Sequence, residues 1–154
     1  MHQQHDRAAE RHHEHINWKV SCMPLLISST LPEATEEVIS EIIACALTVH
    51  RALGPGFLES IYATALSMEL SLKGLPFERE RAIWVNYRGT PIRGQRVDFI
   101  VADSVIVEVK AVARLEPIFQ AKLISYLRTT GLRAGLLINL NSLLLKEGLK
   151  RIVL

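Results

Sequence analysis

Two acidic side chains and one lysine stand out in the middle of the sequence because their neighbours are almost all apolar. Glu108 and Lys110 follow the apolar run Val105-Ile106-Val107, and Asp98 precedes that run on the other arm of a predicted hairpin. Side chains two residues apart in a strand point to the same face, so Glu108 and Lys110 project together. Charged groups are costly to bury without a partner. We therefore expect something to compensate them, and a divalent cation is one candidate.

The chemistry available to these residues is that of hard oxygen ligands beside a positive charge. The carboxylates of Asp98 and Glu108 suit Mg²⁺ or Mn²⁺ better than zinc, and the Val109 carbonyl offers a further ligand. Lys110 would add a positive charge or orient a water molecule. Such a set is typical of metal-assisted phosphodiester hydrolysis. The alternative is an internal ion pair of Lys110 with Glu108 or Glu59, because an acid and a lysine on one strand commonly pair.

Hydrophobic periodicity and turn signals predict the elements that position these residues. Helices are predicted over residues 32–53, 58–73 and 117–130, and strands over 77–87, 92–102, 105–112, 133–140 and 149–154. The first three strands form an antiparallel meander, and the strand–helix–strand passage that follows predicts a right-handed crossover. The order is ααβββαβ(β). The predicted fold class is α/β in the α+β sense, with a mixed sheet of four to five strands flanked by helices.

The apolar stripes of the helices predict which faces they bury. In the second helix the predicted core stripe is Leu58, Ile61, Ala65, Met68 and Leu72, and a second stripe holds Glu59, Tyr62 and Leu66. In the third helix the predicted core stripe is Ile118, Ala121, Ile124 and Leu127. Both assignments rest on the three-to-four-residue spacing of a helix face.

Composition and charge set the broad class of the protein. The 154 residues are 49% hydrophobic and 22% charged, which indicates one globular domain with a core. Five of the six histidines fall in residues 1–29, which we predict to be a disordered tail before a domain over 30–154. The formal net charge of +2 leaves any nucleic-acid binding to local basic clusters.

The sequence also bears on the location and assembly of the protein. No apolar run reaches the roughly 18 residues of a membrane span, so no membrane association is expected. The polar start lacks a secretory signal and the chain has only two cysteines, which together favour the cytoplasm. The exposed last strand, near residues 152–154, would allow a homodimer by edge pairing.

Several motifs together resemble the PD-(D/E)XK nuclease superfamily and, more narrowly, the small bacterial proteins of the GxxExxY family. The superfamily pattern is Asp98 followed by Glu108-Val109-Lys110, after a helix and within a meander. The GxxExxY motif falls at Gly56, Glu59 and Tyr62. Further matches are Leu115-Glu116-Pro117-Ile118, Tyr126-Leu127 and the segment 131–139. The resemblance covers about residues 33–154 and implies a restriction-endonuclease-like core.

The resemblance also implies metal and catalytic roles. Asp98, Glu108, the Val109 carbonyl and Glu59 would hold Mg²⁺ or Mn²⁺, and Lys110 would be the catalytic lysine. Glu59 falls in the first turn of the second helix, where complementing the helix dipole is the alternative role.

The expected substrate contacts come from both helices and from the second strand. Tyr62 would pack beside the site or contact substrate, and Tyr126 would support the site from the third helix. Related nucleases carry a glutamine where this chain has Lys122, a change that would keep phosphate binding while altering catalysis. Arg96 is one of several scattered arginines that would form a phosphate-binding rim if they converge near Asp98.

Trp84 and Tyr87 are two aromatic residues of the predicted hairpin. They could stack on bases, although packing within the hairpin is the commoner use of such side chains.

The candidate site and the resemblance together predict a Mg²⁺-dependent nuclease that acts on DNA or RNA. The alternative is a catalytically impaired nuclease-fold module that binds nucleic acid or a protein partner.

Overall fold

A five-stranded mixed sheet carries the residues singled out in the sequence. The structure, a computed structural model, describes residues 29–154, so all but the last residue of the predicted His-rich tail lies outside the described residues. The helices are α1 (Glu33–Leu53), α2 (Glu59–Leu72) and α3 (Pro117–Thr130). The strands are β1 (Phe77–Tyr87), β2 (Thr90–Val101), β3 (Val105–Lys110), β4 (Ala134–Asn139) and β5 (Leu149–Val153). A short 3-10 turn at Leu145–Glu147 precedes β5.

The strands lie in the sheet in their sequence order. β3 and β4 are parallel and joined through α3, and the other three neighbouring pairs are antiparallel. This arrangement confirms the predicted α+β class, the order ααβββαβ(β) and the mixed sheet flanked by helices. None of the helices in the described residues is long and apolar enough to cross a membrane.

The ends of the helices follow from their local sequence. α1 has Glu33 and Glu36 in its first turn and His50 and Arg51 in its last turn, which suits the helix dipole at both ends. α3 begins at Pro117, where the missing N–H costs nothing, and ends at Gly131 in the left-handed conformation with φ 75°.

The sheet separates two apolar clusters, one against α1 and α2 and the other against α3. Val105, Val107 and Val109 belong to the α1–α2 cluster, and Ile106 belongs to the α3 cluster. Because side chains alternate along a strand, Glu108 and Lys110 share the α3 face with Ile106.

The buried faces of α2 and α3 differ from the predicted ones. In α2 the buried residues are Tyr62, Leu66 and Leu70, whereas four members of the predicted stripe are exposed (Leu58, Ile61, Met68 and Leu72). In α3 the buried residues are Leu123, Tyr126 and Leu127, and Ile118 is exposed. Both helices carry apolar residues nearly all round, so spacing alone did not single out the face that the sheet covers.

The hairpin of β1 and β2 extends well past the third strand. β1 and β2 are paired along nearly their whole length, but β2 pairs with β3 only over Phe99–Val101. A two-residue turn with positive φ at Arg88 and Gly89 closes the hairpin. Gly94, with φ 141°, is an extra residue in β2 and forms a bulge between the Ile83 and Trp84 pairs. Residues 82–96 are called the β1–β2 arm below.

Candidate active site

Asp98 and Glu108 meet where the β2–β3 ladder ends. The last backbone pair at this end is Phe99 with Val107. Beyond it, the Asp98 backbone N–H donates to Glu108 Oε1 at 3.1 Å, and the Val109 N–H donates to Asp98 Oδ2 at 2.8 Å. The two carboxylates therefore lie side by side, each accepting a hydrogen bond from the opposite strand.

The Lys110 ammonium lies where two oxygen atoms converge. Its Nζ donates to Glu108 Oε2 at 3.3 Å and to the Val109 carbonyl oxygen at 3.1 Å. The ring of Phe119 on α3 lies 5.6 Å from Nζ, which adds a cation–π contact. Glu108 is 3% exposed and Lys110 is 8% exposed. Two of the oxygens assigned to a metal thus already face one cation, and hard oxygen donors of this kind fit Mg²⁺ or Mn²⁺.

The negative charge of Glu108 is only partly compensated by the neighbouring Lys110 ammonium. Burial raises the pKa of Glu108 above its usual value, and the negative charge of Asp98 raises it further. The hydrogen bond from the Asp98 backbone and the charge of Lys110 lower it by less. A second cation close to both carboxylates would relieve this like-charge burial.

Glu59 approaches Asp98 from the α2 side of the sheet, opposite to the face that carries Glu108 and Lys110. It is the first residue of α2, is exposed, and lines a cavity of about 320 Å³ together with Asp98 and Arg96. Within residues 29–154, no three His, Cys, Asp or Glu side chains are close enough together to hold a metal ion. The expected convergence of Glu59 with both other acids is therefore absent from the described arrangement, since Glu108 lies on the α3 face.

Tyr62 holds the loop between α1 and α2. Its ring is fully buried, its hydroxyl donates to the Gly54 carbonyl at 2.6 Å, and the hydroxyl accepts from the Phe57 N–H at 3.2 Å. A buried side chain with both hydrogen bonds satisfied does not contact a substrate in this conformation. In this conformation Tyr62 fixes the glycine-containing loop that leads to Glu59, and its substrate-binding role stays a prediction.

Lys122 and Tyr126 act as a pair on α3. Tyr126 is buried at 1% exposure within the apolar cluster between α3 and the sheet. The Lys122 Nζ lies 5.6 Å from the centre of the Tyr126 ring. A hydrogen bond with the Tyr126 hydroxyl raises the pKa of Lys122, and the charges of Glu108 and Asp98 add to this effect. Lys122 is exposed to solvent and close enough to both carboxylates for their charges to affect its pKa.

Arg96 lies on a rim of mixed charge, because the cavity is lined by two arginines and by the acids Glu59, Glu80 and Asp98. It lines the cavity shared by Glu59 and Asp98, and Arg79 lines the same cavity. Its guanidinium lies 3.9 Å from the Glu80 carboxylate, and both side chains are well exposed. Exposed pairs of this kind contribute little to stability, so Arg96 remains accessible to a phosphate.

Two asparagines at the end of β4, the neighbour of β3, were missed from the sequence. Asn139 is buried and its amide pairs with both the N–H and the carbonyl of Val112, at 3.0 and 2.8 Å. Asn141 accepts from the Gly56 N–H at 2.8 Å and donates to the Val112 carbonyl at 3.2 Å. They fix the segment after Lys110 and tie it to the α1–α2 loop. The available signal was two amides placed at the end of a buried strand.

Comparison with known families agrees with this arrangement. A model of the PD-(D/E)XK nuclease superfamily matches residues 36–152, which include nearly all of α1, all of α2 and α3, β1 to β4, most of β5 and the whole candidate site. No curated protein and no solved structure gave a significant match. Since the family match spans most of the described residues, this chain belongs to the PD-(D/E)XK nuclease superfamily.

Proposed function

We propose that this protein is a Mg²⁺- or Mn²⁺-dependent nuclease that hydrolyses phosphodiester bonds in DNA or RNA. The observation that supports it most directly is the meeting of Asp98, Glu108, the Val109 carbonyl and Lys110 at the end of the β2–β3 ladder. In a member of a nuclease superfamily, this donor set is suited to one hard divalent cation.

The proposed roles follow from the positions of the side chains. Asp98, Glu108 and the Val109 carbonyl would hold the ion, which when bound polarises a phosphoryl oxygen and lowers the pKa of a coordinated water. Lys110 donates to the negative charge that develops on the phosphate. Glu59 orders water from the cavity that it shares with Asp98, on the α2 side.

The proposed substrate contacts are basic. Lys122, held by Tyr126 and within electrostatic reach of the carboxylates, binds a phosphate oxygen beside the site. Arg96 binds a neighbouring phosphate at the mouth of the cavity. Both contacts are to the backbone of the nucleic acid and carry no sequence preference of their own.

A cleavage assay with matched variants tests the proposal. Wild-type protein, Asp98→Asn, Glu108→Gln and Lys110→Met are incubated with single- and double-stranded DNA and RNA in Mg²⁺ or Mn²⁺. We expect each variant to lose roughly 100-fold or more in rate, as for removal of a group acting in the transition state.

The matched control is Asp103→Asn, which changes an exposed acid at the turn of the same β2–β3 hairpin. Asn tolerates the positive φ of this residue, so the control should fold and cleave normally. Wild-type protein that cuts none of the four substrates in either metal would overturn the proposal.

A second candidate function is a nuclease-fold module that binds nucleic acid, or a protein partner, without cutting. Lys122 in place of the glutamine of related nucleases favours it, because its ammonium adds a second positive charge near Asp98 and Glu108. Calorimetric titration with Mn²⁺ separates the two functions. No binding to wild-type protein, together with nucleic-acid binding that survives in EDTA, would support the module.

Finer assignments are also proposals. We infer membership of the GxxExxY group from the α1–α2 junction, where Gly56 has φ 108° and Tyr62 bonds to Gly54 and Phe57. A bacterial setting is proposed from that resemblance, and a cytoplasmic one from the low cysteine count. A homodimer through β5, an edge strand of the sheet, is proposed from its position and is tested by the molar mass in solution.

A further inference from the structure

The β1–β2 arm presents a tryptophan and an arginine to solvent as a facing pair. Trp84 on β1 lies opposite Arg93 on β2, and the Arg93 guanidinium carbon is 4.8 Å from the centre of the Trp84 ring. Trp84 is nevertheless 50% exposed, although a tryptophan is usually highly buried. The guanidinium orders one face of the ring and leaves apolar ring surface open to solvent.

This pair lies in one row with the candidate active site. Along β1, Trp84 and Ala82 point to the same face, and their partners on β2 are Arg93 and Arg96. The extra residue Gly94 keeps Arg93 and Arg96 on one face although they are three positions apart. Arg96 and Asp98 then line the same cavity. The row therefore runs from the Asp98 carboxylate through Arg96 to the Arg93–Trp84 pair.

The charge of the arm suits a polyanion. Residues 82–96 contain Arg88, Arg93 and Arg96 and no acidic residue, whereas the whole chain has a formal net charge of only +2. Arg93 has no acidic partner within residues 29–154, and Arg96 has only the distant exposed contact with Glu80. The arm therefore carries a local excess of positive charge that the chain as a whole does not have.

We propose that this face of the arm binds an unpaired nucleic-acid strand that leads out of the active site, with Trp84 stacked on a base and Arg93 and Arg96 on phosphates. The inference rests on the proposed function for the direction in which the strand runs. An unpaired strand is favoured over a duplex because a ring can stack only on a base face that is open. At about 3.3 Å per residue, the row from Asp98 to Arg93 spans roughly 15 Å, enough for a few nucleotides.

The opposite face of the same arm supplies a matched control. Tyr87 is also exposed and aromatic, and it contacts Arg88 through a ring–guanidinium distance of 5.7 Å. It is an odd number of positions from Trp84 along a regular stretch of β1 and so points to the other face. Substituting Tyr87 removes comparable aromatic surface from the arm without touching the row.

The test measures binding by fluorescence anisotropy in EDTA, so that cleavage does not intervene. The probes are a labelled 20-nucleotide oligothymidylate, an oligouridylate of the same length and a blunt 20-base-pair DNA duplex. We expect Trp84→Ala to weaken single-strand binding about tenfold or more, the loss typical of one stacked base, and Trp84→Phe to restore most of it. Arg93→Ala should weaken binding as well, and Tyr87→Ala should change it by less than about twofold.

Three results would overturn the inference: an unchanged affinity in Trp84→Ala, an equal loss in Tyr87→Ala, or tighter binding of the duplex than of both single strands. Circular dichroism on each variant confirms that the arm substitutions leave the fold intact. The assay also separates this inference from the proposed function. Cleavage by wild-type protein with normal binding by Trp84→Ala contradicts only the arm, whereas Trp84-dependent binding without any cleavage contradicts only the nuclease.

Discussion

Glu108 is the residue on which the electrostatics of the site depend. It is buried, it accepts from the Asp98 backbone, and the Lys110 ammonium lies 3.3 Å from its Oε2 atom. Alternation along β3 was enough to predict that Glu108 and Lys110 share a face, and the apolar flanks were enough to predict that they are buried. The contact of Lys110 with the Val109 carbonyl depends on a side-chain conformation and could not be predicted. The burial of Tyr62 could not be predicted either, because a motif position does not show whether a side chain points to the core.

The raised pKa of Glu108 predicts how the stability of the metal-free protein changes with pH. Because burial and Asp98 raise the pKa in the folded state, protonation favours folding. The contribution of Glu108 to the free energy of unfolding should therefore decrease as the pH rises. The decrease begins near the unfolded-state pKa of about 4.3 and continues through the raised pKa of the folded state. Glu108→Gln removes this contribution.

Urea denaturation in EDTA at several pH values between about 4 and 7 measures the contribution of Glu108 to the free energy of unfolding. We expect the stability of wild-type protein relative to Glu108→Gln to decline across this interval. Glu116→Gln, at an exposed carboxylate paired with Arg114, should track wild-type protein. A stability difference between wild-type protein and Glu108→Gln that stays constant with pH would contradict the prediction.

The packing of helix α3 on strand β4 sets the position of Lys122. A Cβ atom at Gly135 would lie 2.9 to 3.1 Å from three side-chain atoms of Leu123, the residue after Lys122. The boundaries of α3 were predicted correctly, but its buried face was not, because the close approach to a particular glycine is a tertiary feature. α2 shows the same limit, since its sequence is apolar on more than one face.

Gly135→Ala is expected to overpack this contact and reduce the free energy of unfolding by about 1–3 kcal/mol. Leu123→Val alone should also destabilise, by leaving space. In the double variant the added methyl group fills the space that valine leaves, so the combined loss should be smaller than the sum of the two. Chemical denaturation of the four proteins measures the coupling, and strictly additive losses would contradict a direct contact.

At the scale of the whole molecule, the β1–β2 arm carries a local excess of positive charge. The fold class followed from the order of the elements, which local patterns encode. The projection of the arm did not follow, because it depends on how far β2 and β3 stay paired, and only Phe99–Val101 do so. That difference in pairing places exposed arginines and Trp84 past the end of β3, although the chain as a whole is nearly neutral.

The salt dependence of nucleic-acid binding should therefore report on the arm and not on the net charge. Each phosphate contact to a single strand contributes about 0.7 to the slope of log affinity against log salt. Arg93→Ala combined with Arg96→Ala should lower that slope by about 1 to 1.5. Arg114→Ala combined with Arg128→Ala removes the same charge from outside the arm and should leave the slope unchanged. Equal slopes for the two double variants would show that only the overall field matters.

The two hydrogen bonds at the end of the β2–β3 ladder make the carboxylates part of the sheet as well as part of the site. The amide protons of Asp98 and Val109 are held by Glu108 and Asp98 side chains and not by backbone carbonyls. Their rates of exchange with deuterated solvent therefore depend on where those carboxylates are and what they bind. An ion that draws the carboxylates towards itself would leave these two amides less protected, while neighbouring amides of the ladder stay unchanged. Binding of an ion at the site should therefore change the exchange rates of these two amides. Hydrogen–deuterium exchange can measure that change without any substrate.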